Sequence, residues 1–345
     1  MADGAGSGDG LQEGPQAGFV TKPAEIPGPL PGARNGPPAR ADLTEAERRT
    51  LVALGRRVLY HNVGTRRLIQ EAGINVVPAN FYSEIPTLAE LDRAFEYGEP
   101  EPFMAPYIDA GAMLGEYAGL LPFSRDFDPP LDQPVEGHGF YWRNNAFSFC
   151  DAMVYYAMIR RHRPARVVEI GSGHSTRAAA QALADNGTGE LTCFEPFPMD
   201  WLPRVVTDLR EERAQDITAE ALNDLLGDGD VLFIDSTHTV KFGSDCLHIY
   251  LRLLPFINRR IFVHAHDIYL PDAFPMRQGA DRQIYWTEQY LLHAFMLHNP
   301  RCRFLLGNAY GTKVAADAQR AVMRGRYANG GGSWWFEWLG TGATA

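Results

Sequence analysis

Lysine is nearly absent: Lys22, Lys241 and Lys313 are the only three among 345 residues. The 32 basic residues are therefore mostly scattered arginines, set against 42 acids for a formal net charge of −10. A field of that sign repels polyanions, and with no basic patch to overcome it nucleic acids and anionic membrane surfaces are excluded as partners. Cysteine is scarce too. Cys150, Cys193, Cys246 and Cys302 stand far apart without CxxC spacing, which excludes a disulfide or zinc framework and predicts reduced, buried thiols. No stretch approaches the ~20 consecutive apolar residues that span a bilayer. The first residues lack the basic and apolar regions of a signal peptide, so the expected location is cytoplasmic. Neither a P-loop nor a nucleophile elbow is present, which argues against phosphoryl and acyl transfer.

What is there is an ordinary globular composition, 45% hydrophobic and 21% charged. Residues 1–40 hold nine glycines and seven prolines and read as a disordered tail. A helix is expected from about Asp42, capped by Asp42 or Thr44. Residues 41–139 otherwise read as an irregular N-terminal cap or lid with short helices near 87–97 and 110–120. The texture changes at Phe147. A helix over 147–161 is followed by apolar runs at 166–170, 191–194, 231–234, 261–264 and 304–306, with helical patterns between them. Strands at that spacing imply an α/β, doubly wound, mostly parallel sheet. A final aromatic strand, 334–338, follows a glycine turn and is expected at an edge, where it would pair with a second copy of the chain.

The first strand runs into Gly171-Ser172-Gly173-His174-Ser175-Thr176 and then a helix. Ligands of such sheets bind outside the carboxyl ends of the strands, where glycines admit close approach and a helix offers free N–H groups. The second strand ends at Glu195, placed to accept hydrogen bonds from a ribose diol. A dinucleotide loop would carry a third glycine where Thr176 stands. With Glu169 two residues before the first glycine, the pattern suits S-adenosylmethionine, which has an amino-acid end and no phosphates.

Two later strands end in acids and histidines: Asp235-Ser236-Thr237-His238 and His264-Ala265-His266-Asp267. Adjacent strand ends lie about 4.8 Å apart, so Asp235, His266 and Asp267 should converge as ligands for Mg²⁺ or another divalent ion. His238, as an imidazole near its free pKa of ~6.5, is the candidate base. His264 reads as a core histidine, and Trp142 and Asn145 as candidate cofactor or acceptor contacts.

Taken in order, Val168-Glu169-Ile170-Gly171-Ser172-Gly173, Glu195, residues 233–238 and residues 264–268 resemble the motifs of class I S-adenosylmethionine-dependent methyltransferases, and among them the small-molecule branch with a methyltransferase-24-type domain. The resemblance covers about residues 140–340. It implies a Rossmann-like seven-stranded sheet with an antiparallel last strand. It also implies cofactor contacts at Glu169, Gly171, Ser172, Gly173, Glu195 and Asp235, with adenine near Gln215 and Asp216. Compared with catechol O-methyltransferase-like enzymes, Asp235 matches the metal aspartate, His266-Asp267 replace an Asp-Asn metal pair, and His238 falls at the offset of a catalytic lysine. The expected reaction is methyl transfer to a small-molecule hydroxyl on a natural product or sugar. The alternatives are an iron-dependent oxygenase on the same fold and a non-catalytic cofactor-binding protein.

Overall fold

The computed structural model describes residues 42–94, 101–134, 137–147, 149–275, 283–325 and 330–342. The glycine-rich and proline-rich segment 1–40 lies outside the described residues. The chain divides into two compact units, Met1–Pro78 and Ala79–Ala345. In the first, α1 (Glu45–Val58) and α2 (Val63–Glu71) start on side-chain caps from Thr44 and Asn62. Thr44 and Glu47 form a reciprocal capping box, the Glu47 carboxylate accepting the Thr44 N–H at 2.7 Å. Neither helix buries a residue, so caps rather than a core define them.

The second unit opens with the short α3 (Leu88–Leu91). The helix expected over 87–97 ends at Leu91, and the expected span from residue 95 on lies outside the described residues. After α4 (Ala110–Ser124) and α5 (Phe149–His162), strands and helices alternate: β1 (Arg166–Ile170), α6 (His174–Asn186), β2 (Glu190–Phe194), β3 (Asp208–Arg210), α7 (Ala219–Leu225), β4 (Val231–Ile234), α8 (Asp245–His248) and β5 (Ile261–Ala265). A helix over Glu288–Met296 precedes β6 (Cys302–Gly307) and β7 (Trp334–Trp338). The long helix expected over 244–254 instead passes from α8 into a π-helical turn, Ile249–Leu253.

The seven strands form one sheet in the order β3-β2-β1-β4-β5-β7-β6. The first five are parallel, and β7 is antiparallel to both of its neighbours. This is the doubly wound sheet the sequence implies, with one correction. β7 is not at an edge: it is hydrogen-bonded on both sides and every residue in it is buried. Its run of aromatics reflects burial on two faces, and the argument for pairing with a second copy through it falls.

Alternation along the strands separates the two faces. On one face Glu169, Phe233, His264 and Trp335 lie level across four strands, beneath Tyr155 of α5. On the other, Trp334 donates its indole N–H to Met296 and Trp338 packs against Phe295, so the Glu288–Met296 helix covers that side. α4 also belongs to this core. Tyr117, fully buried, donates its hydroxyl hydrogen to Asn308 at 3.0 Å, and Glu116 pairs with Arg161 of α5 at 2.7 Å. Residues 41–139 are thus not one piece: the part up to Pro78 lies in the first unit, while α4 is built into the second.

Trp335 is fully buried and stacks on His264 with ring centroids 4.4 Å apart. Trp335→Ala is expected to lower the unfolding free energy by about 3–5 kcal/mol, read from urea melts. A loss below about 1 kcal/mol would contradict this packing.

Candidate active site

Four backbone crossings bring the strand ends level. Gly171 donates its N–H to Phe194 O at 2.9 Å, Asp235 to Ile170 O at 3.0 Å, His266 to Ile234 O at 2.9 Å and Glu195 to Arg210 O at 3.0 Å. The glycine loop leaves β1 between β2 and β4, where the chain winds away in opposite directions, the position at which such sheets bind ligands. Gly171 has φ +85°, and a Cβ there would collide with the Asp235 carbonyl, so this turn requires glycine. Beside it, Glu195 accepts from the Ser172 N–H at 3.1 Å and from the Phe197 N–H at 2.8 Å, which holds its carboxylate at the mouth of the loop.

Glu169 is fully buried beneath the loop rather than facing its mouth. It accepts hydrogen bonds from Thr176 Oγ1 at 2.5 Å and Tyr155 Oη at 2.9 Å, and Thr176 Oγ1 in turn accepts the Gly173 N–H at 3.0 Å. It therefore shapes the loop from behind. Burial pushes its carboxyl up to about 7, even though the hydrogen bonds from Thr176, Tyr155 and Cys193 oppose the shift. Asp216 lies on the surface, paired with Arg213 at 2.8 Å, and its neighbour Gln215 reaches Gly243 O at 3.1 Å. Trp142 is a correction. It is 1% exposed and stacked on Phe149 at 5.5 Å amid Phe127 and Phe140, so it is core packing. Asn145 is exposed with φ +59°, and it is Asn144 that caps the turn, accepting from the Ala146 and Phe147 N–H groups.

Beyond β4 and β5 the structure assembles acids and imidazoles. Asp235, His238 and Asp267 each offer one ligand-type atom, all within 4.8 Å of one another. His266 joins them, its Nδ1 3.5 Å from Asp235 Oδ1 and 3.7 Å from Asp267 Oδ2. The expected trio of Asp235, His266 and Asp267 is therefore brought together, with His238 added. Two further carboxylates were not foreseen. Glu288 accepts from Tyr250 Oη at 2.8 Å and Ser236 Oγ at 3.0 Å and lies 2.7 Å from His238 Nδ1. Asp151 accepts from Asn308 Nδ2 at 2.8 Å, Ser333 N–H at 2.9 Å and Gly332 N–H at 3.1 Å, and lies 3.3 Å from His266 Nε2. Gly331 must be glycine for this turn: its φ is +105° and a Cβ would strike the Asp151 carboxylate. The sequence signal for Asp151 is a lone acid inside the apolar run of α5, whereas Glu288 reads as an ordinary acid in the first turn of a helix.

These neighbours shift one another's ionisation. Burial disfavours a charged His238, but hydrogen bonds to Asp235 and Glu288 and their charges outweigh it and raise the imidazole to about 10. His238, expected as a base near its free pKa, is instead held above that value by these partners. Burial likewise opposes charge on His266, and Asp267 and Asp235 more than offset it, holding the ring well above its ordinary value. For Asp235 burial is again outweighed, by His266 and His238, and the carboxyl stays well below the usual range. Burial raises Asp267, only partly offset by the two imidazoles. His264 is the expected core histidine, with Nε2 2.8 Å from Ser333 Oγ.

A divalent ion fits this donor set. Four carboxylates face two imidazoles, so negative charge remains in excess even with both rings protonated. His266 is 4% exposed, and its Nδ1 makes no hydrogen bond among the described residues. A cavity of about 210 Å³ adjoins the cluster, lined by Leu91, Lys241, Tyr285, Trp286 and Tyr290 among others. Trp286 links the two, its ring 4.4 Å from that of His238.

Residues 168–268 match the family model of a methyltransferase domain. That match spans the glycine loop and the strand-end acids, and the sheet order is that of a Rossmann-like methyltransferase fold. An uncharacterised protein of Archaeoglobus fulgidus is 28% identical over 174 residues, 48% of this chain and 76% of that protein. Two solved plantazolicin methyltransferases, BamL and BpumL, each in complex with S-adenosylhomocysteine, align over 68% and 67% of this chain and 99% and 97% of theirs. Their identities are 12% and 9% and each TM-score is 0.34, a likeness too distant to bear on function. No helix among the described residues is long and apolar enough to cross a membrane.

The Glu169 carboxyl gives a pH test. Its value is raised on folding, so between its unfolded value of 4.5 and about 7 the folded state holds the proton that the unfolded state releases. Stability from this group is greatest below 4.5 and falls as pH rises to 7, by roughly 1.4 kcal/mol per pH unit at most. Glu169→Gln is expected to remove that slope from urea melts over this window. An unchanged slope would contradict the buried protonated carboxyl.

Proposed function

We propose that this protein transfers the methyl group of S-adenosylmethionine to a hydroxyl of a small molecule, with a divalent ion at the strand ends. The carrying observation is the contact between the two halves of the site: the Gly171 turn leans on the Asp235 carbonyl. That juxtaposition favours a cofactor seated on the loop with its sulfonium toward the acid–imidazole cluster. Glu195 would accept from the ribose hydroxyls, and the adenine would extend toward Gln215 and Asp216. The cavity under Trp286 suits the body of the acceptor, walled by apolar and aromatic side chains with polar groups at its rim.

In the reaction the acceptor oxygen attacks the methyl carbon, the C–O bond forms as the C–S bond breaks, and S-adenosylhomocysteine leaves neutral. Holding the two in line is the main source of rate. The hydroxyl proton leaves to solvent. A divalent ion held by Asp235, His266 and Asp267 would supply Lewis acidity, lowering the pKa of the acceptor hydroxyl. His238 and Trp286 keep water from the reacting atoms.

Asp267→Asn is expected to lower kcat by about 10²–10⁴-fold with S-adenosylmethionine affinity unchanged. The readout is S-adenosylhomocysteine release over a panel of hydroxylated aromatic and sugar acceptors. A folded protein that binds Fe²⁺ tightly and no S-adenosylmethionine would overturn this reading in favour of an oxygenase.

A further inference from the structure

Glu288 and Asp151 stand one step behind the strand-end acids, each on a helix outside the recognisable motifs. Glu288, 2% exposed, meets His238 Nδ1 at 2.7 Å. That leaves His238 Nε2 turned inward, 3.3 Å from Asp235 Oδ1 and 3.5 Å from Asp267 Oδ2. Asp151, 1% exposed, does the same for the other ring through the opposite nitrogen. It lies 3.3 Å from His266 Nε2, and His266 Nδ1 faces the same two oxygens, Asp235 Oδ1 and Asp267 Oδ2. Two imidazoles from different loops thus each have one nitrogen tied to a rear carboxylate and the other facing the same two oxygens of the front carboxylates, Asp235 and Asp267.

A carboxylate behind an imidazole fixes its tautomer and orientation and makes the forward nitrogen a better donor, an arrangement that accompanies nearly every metal-bound histidine. Neutral imidazoles on a shared divalent ion also carry the same total charge as two imidazolium rings. Buried pairs of this kind need such balance, because an uncompensated buried charge is costly. The buried His266 Nδ1, which makes no hydrogen bond among the described residues, is the atom that the ion would satisfy.

We propose that Glu288 and Asp151 are positioning residues that make both His238 and His266 ligands of one ion together with Asp235 and Asp267. The resulting set of two nitrogens and two carboxylates selects a first-row transition ion over Mg²⁺, which favours oxygen donors and retained water. His238 is then a ligand and not the proton acceptor. The inference rests on the methyltransferase reading only for what the ion does, not for its binding.

The test uses the full chain, stripped of metal by a chelator and titrated with Mn²⁺ or Mg²⁺ and, separately, with S-adenosylmethionine. One Mn²⁺ is expected per chain, bound about a hundredfold more tightly than Mg²⁺. Electron spin echo modulation should show two imidazole nitrogens on the bound Mn²⁺, and one in His238→Gln. Glu288→Gln is expected to weaken Mn²⁺ roughly 10–100-fold and to narrow its margin over Mg²⁺, with S-adenosylmethionine affinity unchanged. Equal affinity for Mg²⁺, no nitrogen coupling, or a folded Glu288→Gln with unchanged Mn²⁺ affinity would each overturn the proposal. Should that variant fail to fold, the wild-type and His238→Gln echo spectra decide. Binding Mn²⁺ through imidazoles without S-adenosylmethionine leaves this proposal standing and overturns the transferase reading; the reverse pattern does the opposite.

Discussion

Four carboxylates and two imidazoles share one largely buried volume at the ends of β4 and β5, and the rest of the domain is arranged so that this can persist. Breaking one partner out of a buried ion pair typically costs about 3–5 kcal/mol, so each group constrains its neighbours. Asp151 is held by two backbone N–H groups of the glycine turn before β7 and by Asn308 after β6, which ties the last two strands to α5. Glu288 is held by Tyr250 and Ser236, which ties the helix it opens to the segment after β4. His238 and Asp267, with φ of 58° and 55°, adopt left-handed backbone that non-glycine residues seldom take, strain of the kind surrounding contacts must over-determine.

The same constraint joins the cofactor half of the site to the acidic half. Gly171 has no side chain because the Asp235 carbonyl occupies that space, so the loop cannot shift without moving the first acid of the cluster. Glu169 fixes the other side of the loop through Thr176, and Glu195 grips its front through Ser172. Placement of the reacting groups is therefore a property of the sheet ends and their packing, not of flexible surface side chains.

The residues legible in the sequence are those where an apolar run stops abruptly at a glycine or a chemistry-bearing side chain: Ile170-Gly171, Phe194-Glu195, Ile234-Asp235 and Ala265-His266. A strand buried on both faces has no other reason to end that way. β3 is short and half-buried, so it leaves no apolar run to read. β7 misled for a related reason: its aromatics mark an interior strand covered on both sides, and composition alone does not distinguish that from a sticky edge. Trp142 shows the converse, an aromatic close to the motifs that fills the core. Asp151 and Glu288 were out of reach because they come from helices far from the motifs in sequence. The ionisation of His238 was equally hidden, since it depends on carboxylates from three separate elements.

The central claim is that one pocket joins a nucleoside cofactor on the Gly171 loop to an acceptor beside the strand-end acids. A crystal structure of the full chain with S-adenosylhomocysteine tests it most directly. The account predicts ribose hydroxyls within hydrogen-bond distance of Glu195 and the sulfur between the Gly171 turn and Asp235. A cofactor bound elsewhere, or a loop that stays empty at saturating ligand, would contradict it.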